Sequence, residues 1–286
     1  MTQRIDALLN WATTELSAST TARLDAELLL SHIIKKPRSY FFTWPEKELP
    51  QVQLNNFRHL IEQRKKGTPV AYLTGEREFW SLRLKVTEAT LIPRPDTERL
   101  VELALSLSLP ESISPKVVDL GTGTGAIALA LACERPLWQI TAVDKSPEAI
   151  KVAKENTKSN HINNVNIIEG SWCEPVQDIP VDMIVSNPPY VRSDDHHLQQ
   201  GDVRFEPLSA LASGPDGLDD IRLIAQQSFM ALKINGYLLL EHGFDQGNDV
   251  QSILSDAGFS EVQTKQDLSR QDRVTFARKK ESFHNS

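Results

Sequence analysis

Two short stretches of this chain combine residue types that carry chemistry. In the first, Asp119-Leu120-Gly121-Thr122-Gly123-Thr124-Gly125 follows an apolar run and opens onto the alanine-rich segment 126–132. Glycines at such a turn let the backbone approach a ligand with no Cβ in the way. The N-terminus of the helix beyond them offers unpaired N–H groups. Asp144 ends the next apolar run, about 20 residues on, where a carboxylate accepts ribose hydroxyls. The loop also satisfies a loose Gly-x-Gly-x-x-Ala spacing ending at Ala126, so glycine spacing alone leaves a nicotinamide dinucleotide open. Asp119 favours S-adenosylmethionine. Two residues before the first glycine, its carboxylate can pair with the ammonium of that cofactor, whereas dinucleotide sites need apolar space there.

The second stretch, Asn187-Pro188-Pro189-Tyr190, directly follows the apolar run 183–186. In an open α/β sheet, ligands sit beyond the carboxyl ends of the strands, so a motif at that place faces the cofactor. Taken alone, its prolines would equally serve to end a strand. The residue types suit one reaction. A carboxamide nitrogen is a poor nucleophile because its lone pair is delocalised into the carbonyl. Two acceptors holding its N–H hydrogens orient it toward a sulfonium methyl, and the Asn187 side-chain oxygen and the Pro188 carbonyl supply such a pair. Consecutive prolines have fixed φ, so that carbonyl is held in place beforehand. Tyr190 offers a flat face to a planar group. No strong base is needed before transfer, since the cationic nitrogen sheds its proton afterwards. Adenine's exocyclic amine obeys the same logic, and the motif also resembles that of adenine-N6 DNA methyltransferases.

These loops need elements to hold them. Residues 1–66 read as helices: Ile5, Leu8 and Leu9 share one face, and a second helix covers 22–35 with Ser19, Thr20 and Thr21 available as caps. Pro50 opens another, which runs to Lys65-Lys66 and the stop signal Gly67. Faces this short bury only against one another, which predicts a small bundle over 1–74; periodicity does not separate a packing or solubility module from a substrate-docking domain, and the mild positive balance of this segment favours docking. Residues 70–73, Gly75 and the alternation of Trp80, Leu82, Leu84 and Val86 predict a hairpin linker over 75–92. Beyond it, over 93–286, apolar runs at 116–120, 139–143, 165–168, 183–186 and 237–241 mostly alternate with helical segments. That alternation predicts an α/β fold with a parallel sheet covered on both faces. The last runs, 259–264 and 274–277, are too close for a helical crossover and predict a closing antiparallel hairpin.

The length of 286 residues suits two domains at about 150 residues each. Hydrophobic residues make up 40% and charged residues 24%, the profile of a globular chain with a full core. No run approaches the ~18 apolar residues of a membrane span. The opening residues lack the basic end and apolar run of a secretory signal. Cys133 and Cys173 cannot build a disulfide framework, so the expected setting is the cytoplasm. Among the histidines, His196-His197 after Asp194-Asp195 comes nearest to a metal spacing and reads better as a solvated loop, so no metal is expected. The net charge of -7 is uneven: residues 1–74 hold 10 basic against 7 acidic, the remainder 21 against 31. A base-flipping enzyme should carry a basic channel, so the acidic body speaks against a nucleic-acid substrate.

The Asp-x-Gly-x-Gly-x-Gly loop resembles the class I S-adenosylmethionine-dependent methyltransferases, which implies a seven-stranded sheet ending in a reversed hairpin. Gly75-Glu76-Arg77-Glu78-Phe79-Trp80, Ile92-Pro93-Arg94-Pro95-Asp96-Thr97-Glu98, Asp202-Val203-Arg204-Phe205-Glu206-Pro207 and Leu240-Glu241-His242-Gly243 all look like the release-factor glutamine methyltransferases. The resemblance covers nearly the whole chain. It implies N5-methylation of the glutamine in the Gly-Gly-Gln loop of class-1 peptide-chain release factors. A monomer is expected, since a folded protein substrate must reach a deep pocket. The related ribosomal-protein glutamine methyltransferase typically differs after Pro-Arg. By motif matching, Asp119, Gly121, Thr122, Gly123, Thr124, Gly125, Asp144, Trp172 and Asn187 would hold the cofactor. Asn187, Pro188, Pro189 and Tyr190 would hold the substrate glutamine, with Phe79 and Arg94 lining or bracing the pocket. Glu206 and Glu241 would steady loops. Many relatives carry Asp where this chain has Ser171, and that role is not transferred to the serine.

Overall fold

The computed structural model describes residues 3–109 and 114–281. The chain divides into two compact units, Met1–Glu76 with Gln199–Phe205, and Arg77–Leu198 with Glu206–Ser286.

The first unit is helical. It holds α1 (Ile5–Glu15), α2 (Ala22–Ile34), α3 (Ser39–Thr43), α4 (Gln51–Lys65) and α5 (Val70–Thr74), with a minimal antiparallel pair of β1 (Gln3–Arg4) and β2 (Glu48–Leu49). Ile5, Leu8 and Leu9 of α1 close on Leu29 and Leu30 of α2 and on Leu54, Phe57 and Ile61 of α4. The caps differ from expectation. No side chain caps α2; instead the hydroxyls of Ser19 and Thr21 donate to the buried Asp25, each at 2.9 Å. Arg64 then donates to Asp25 at 2.8 Å and to Asp202 at 2.6 Å, tying 199–205 into this unit.

Residues 70–74 form a helix, not a strand. Five residues are too few to reveal a period, and Pro69 and Gly75 serve as well for helix caps as for strand ends. The hairpin is tighter than expected: β3 (Glu76–Phe79) and β4 (Leu82–Lys85) turn at Trp80 and Ser81, both with positive φ. Phe79 and Leu84 belong to the core of the second unit, so the hairpin is part of that body.

The second unit continues with α6 (Glu98–Ser106), β5 (Lys116–Leu120), α7 (Ala126–Glu134), β6 (Gln139–Asp144), α8 (Pro147–Ser159), β7 (Val165–Glu169) and β8 (Val181–Ser186). It closes with α9 (Asp219–Ala231), β9 (Leu232–Glu241), α10 (Gly247–Asp256), β10 (Ser260–Gln266) and β11 (Asp272–Arg278). Seven strands form one sheet in the order β10-β11-β9-β8-β5-β6-β7. β9, β8, β5, β6 and β7 run parallel, and β11 is antiparallel to both its neighbours. This is the class I methyltransferase arrangement with its closing hairpin. Strand residues alternate between two cores. Val117, Met183 and Leu239 face α6, α7 and α8, whereas Val118, Ile184 and Leu240 face α9 and α10. Strands buried on both faces read as continuous apolar runs. Helix α7, apolar all round, is buried from Ala126 to Ala132.

One buried polar residue joins the hairpin to the glycine loop. Asn156 of α8 is fully buried; its Oδ1 accepts from the Lys85 N–H at 2.6 Å, and its Nδ2 donates to the carbonyls of Lys85 and Thr124. Asn156→Ala orphans all three groups, and urea unfolding should show a loss of about 2–4 kcal/mol. A variant as stable as the parent would show that water replaces these bonds at no cost.

Candidate active site

The sheet reverses its winding at β5, which has β6 on one side and β8 on the other. A crevice opens where strand order reverses, beyond the carboxyl ends of such strands. Register sets the three ends level: Leu120 pairs with Val143 and with Ser186. The Ser186 hydroxyl donates to the Leu120 carbonyl at 2.7 Å, and the Thr122 N–H to the Val143 carbonyl at 2.9 Å. The glycine loop, Asp144 and Asn187 therefore emerge side by side around a cavity of about 270 Å³.

Gly121 and Gly123 have φ of 69° and 55°, a region costly for any residue with a Cβ. A Cβ on Gly121 would also lie 3.3 Å from the Trp172 ring, which packs across the loop. The Asp144 carboxylate organises two loops at once, accepting from the Gly123 N–H at 2.8 Å and the Ser146 N–H at 2.9 Å. Ser146 in turn caps α8 by accepting from the Ala149 N–H. Asp144 lines the cavity, and a carboxylate with two oxygens has lone pairs left for further donors.

Asp119 lies beneath the loop, fully buried. Its Oδ2 accepts from the Thr122 hydroxyl at 2.6 Å and the Ala128 N–H at 3.2 Å, whereas Oδ1 has no partner. Burial pushes its pKa up to about 7, with Asp144 adding to the rise and the Thr122 and Ala128 donors opposing it. An unpaired buried carboxylate oxygen of this kind suits a cationic ligand group.

Asn187 lines the same cavity. Its Nδ2 donates to the Thr97 hydroxyl at 3.1 Å, and its Oδ1 is buried without a partner. A carboxamide pinned by its nitrogen presents a fixed oxygen acceptor, the group needed to hold an N–H of another amide. Pro188 and Pro189, which follow it, are both buried. The Tyr190 hydroxyl approaches Glu241 Oε1 at 3.4 Å.

Gly121, Gly123, Asp144, Trp172, Asn187 and Pro189 thus line one cavity. Asp119, Thr122, Thr124, Gly125, Pro188 and Tyr190 are not part of its lining. Phe79 stands apart from it, 2% exposed in the core. Arg94 does not line the cavity either: it pairs with the buried Glu206, which also accepts from the Ile92 N–H at 3.0 Å. That pairing fixes the chain just before Pro207, which does line the cavity. Lys145, Glu148, Thr90 and Ser209 also line it and carry no motif that would reveal them. Ser171 is in the wall as well. Asp195, His196 and His197 bring ligand atoms within 4.8 Å of one another on an exposed turn outside the lining. Among the described residues, no helix is long and apolar enough to cross a membrane.

The buried Asp119 has a thermodynamic signature. Its carboxyl holds a proton up to about pH 7 when folded, but only to about pH 4 when unfolded. Between those values the folded state binds more protons, so stability falls as pH rises through the window. Asp119→Asn keeps the acceptor and removes the charge. Without cofactor it should be roughly 2–4 kcal/mol more stable than the parent at pH 8, with little difference at pH 4. Urea unfolding at both pH values checks this.

Comparison with known proteins agrees with this geometry. Residues 7–75 match the family model of the PrmC N-terminal domain, and residues 102–203 that of the methyltransferase small domain. The chain is 50% identical over 283 residues to the release factor glutamine methyltransferase of Vibrio cholerae, covering 98% of each chain. It is 48% identical over 270 residues to that of Escherichia coli K12, covering 94% of this chain and 97% of the relative. Among solved structures, a methyltransferase from Pyrococcus furiosus shares the fold, with a TM-score of 0.54 at 16% identity over 79% of this chain and all of that one. Identity of this order over nearly the full length of both chains means that the protein belongs to the release factor glutamine methyltransferase family.

Proposed function

We propose that the protein methylates the side-chain amide nitrogen of the glutamine in the Gly-Gly-Gln loop of class-1 peptide-chain release factors, acting as a cytoplasmic monomer with S-adenosylmethionine. The buried, unpaired Oδ1 of Asn187 at the edge of the glycine-loop cavity carries this reading. It is an acceptor held ready for an N–H donor, and an amide nitrogen is such a donor.

The residues present fit the cofactor. Asp119 Oδ1 would take its ammonium, Asp144 its ribose hydroxyls, and the Trp172 ring would flank its adenine beside Gly121. Bound there, S-adenosylmethionine supplies a methyl group on a sulfonium, an electrophile that needs no further activation.

This chain's own residues orient the acceptor. Asn187 Oδ1 and the Pro188 carbonyl would hold the two hydrogens of the glutamine nitrogen, aiming its lone pair along the line of transfer. Tyr190, braced on Glu241, would bear against the plane of the amide. The same two oxygen acceptors would stabilise the positive charge that methylation places on the nitrogen. The proton then leaves to water, since a protonated amide is a strong acid.

Labelled S-adenosylmethionine offered with a release factor, its Gln→Ala loop variant or DNA tests the substrate. Label should enter only the intact release factor; label on DNA, or undiminished label on the loop variant, overturns the reading. Asn187→Ala should bind cofactor nearly as the parent does and lose about 100-fold or more in turnover. Unchanged turnover would remove Asn187 from the chemistry.

A further inference from the structure

The Asn-Pro-Pro-Tyr motif fixes its own middle better than its end. Proline rings set φ at 188 and 189, but both backbone dihedrals of Tyr190 are free, so something outside the motif decides where its ring points. The peptide after Tyr190 is held on both edges. The Val191 N–H donates to the Leu211 carbonyl at 2.8 Å, and that carbonyl also accepts from the Tyr190 N–H at 3.1 Å. On the opposite edge, the Tyr190 carbonyl accepts from Nε2 of Gln246 at 2.9 Å.

Gln246 stands just before α10 and reaches back to this loop. Its Oε1 accepts from the Gly243 N–H at 2.8 Å, and its Nε2 also donates to the Asp216 carbonyl at the longer distance of 3.4 Å. The side chain does not cap the helix it precedes, where Ser, Thr, Asp or Asn serve better than Gln. It is 8% exposed, so solvation does not account for a glutamine there either. Gly217 shows how closely the parts approach. Its φ is 80°, and a Cβ on it would lie 2.3 Å from the Tyr190 carbonyl oxygen and 2.9 Å from Gln246 Nε2.

We propose that Gln246 is a positioning residue for methyl transfer, which holds the peptide after Tyr190 and thereby the angle at which the Tyr190 ring meets the substrate amide. This rests on the reading of Tyr190 as the face against which that amide lies.

The direction of the Gln246 amide is not open to reversal. Its partners are backbone groups, an N–H at Gly243 and carbonyls at Tyr190 and Asp216, whose roles no ionisation changes. Its oxygen must face Gly243 and its nitrogen the two carbonyls. Turned over, the amide would set donor against donor and oxygen against two oxygens. With the peptide held at both C=O and N–H, ψ of Tyr190 is set; the bond from its own N–H restrains φ. The ring then moves only about its side-chain torsions, and its hydroxyl, 3.4 Å from Glu241 Oε1, restrains those. Without Gln246 Nε2 the plane is released on one edge and can tilt. Misplacement by about 1 Å of a group that orients a reactant can cost about 100-fold in rate. Gln246 is not in the cavity lining, so cofactor binding serves as an internal control.

Two substitutions test this. Gln246→Met keeps the length and removes all three bonds. Gln246→Glu keeps the acceptor for Gly243 and, when ionised, sets an oxygen against the Tyr190 carbonyl. Each is made in the full-length parent and in a Tyr190→Ala background, and measured at pH 8 for the Kd of S-adenosylmethionine and for kcat and KM on a release factor. In the parent background, both should bind cofactor within about twofold and lose about 10- to 100-fold in kcat, with KM changed less than about threefold. In the Tyr190→Ala background they should change kcat by less than about threefold, because the ring they misplace is gone. A cofactor-binding variant with parental kcat overturns the proposal, as does Tyr190→Ala at parental turnover. An equal loss in both backgrounds overturns it too, since Gln246 would then support the fold rather than the ring. So does a parallel fall of cofactor binding and kcat. If the parent itself does not methylate the release-factor glutamine, the functional reading fails instead, an outcome read before any variant is made.

Discussion

Everything at the site depends on the level register of three parallel strands. Leu120, Val143 and Ser186 stand abreast across β5, β6 and β8, so the residues that follow them leave the sheet at one height. A one-residue slip would turn every side chain of a strand to the opposite face. Here it would exchange the residues of the two cores, because Met183 and Val185 belong to one and Ile184 to the other. The apolar layers therefore enforce the alignment, and the polar loops inherit it. Burial well below the cavity keeps Asp144 and Asn187 beside the glycine loop.

The same packing forces carboxylates into places where charge is expensive. Asp119 and Glu241 are both buried with pKa values pushed up to about 7, and each has one oxygen without a partner. Elsewhere the fold compensates its buried acids. Asp25 receives two hydroxyls and Arg64, Glu27 two arginines, and Asp182 the Lys233 ammonium and the Lys116 N–H. Among the described residues, Asp119 and Glu241 are the buried acids left with an oxygen unpaired. Destabilised, unpaired groups concentrate where ligands bind because a ligand or a positioned side chain supplies what the fold omits.

Much of this is legible in the sequence. Strands buried on both faces appear as uninterrupted Val, Ile and Leu runs, and Gly121 and Gly123 mark the turn that only glycine makes easily. The Asn-Pro-Pro-Tyr motif names its own position at a strand end. Other features have no local signal. Residues 70–74 are too few to show whether their period is that of a strand or a helix. Trp80 and Ser81 turn with positive φ without the glycine or asparagine that announces such turns. Ser19 and Thr21 look like caps, but the buried Asp25 offers them a better acceptor than the helix offers donors. Thr97 lies 90 positions from Asn187, and only the folded sheet brings them together. Glu241 ends a strand run and reads only as a residue that steadies loops, because its neighbours come from distant segments.

The division of the chain has a consequence for how such an enzyme can evolve. The backbone passes between units at residue 76 and again on either side of 199–205, a segment bound to the helical unit through Asp202 with Arg64 and through Arg204 with the Lys66 carbonyl. The helical unit is therefore not a cassette appended by one peptide bond. Deleting it would strand a strip of the loop that begins at Asn187 and continues to Pro207. Gain or loss of the unit would demand simultaneous rewriting of that loop, so the two parts are expected to be inherited as one block, and recombination at a single crossover should be poorly tolerated.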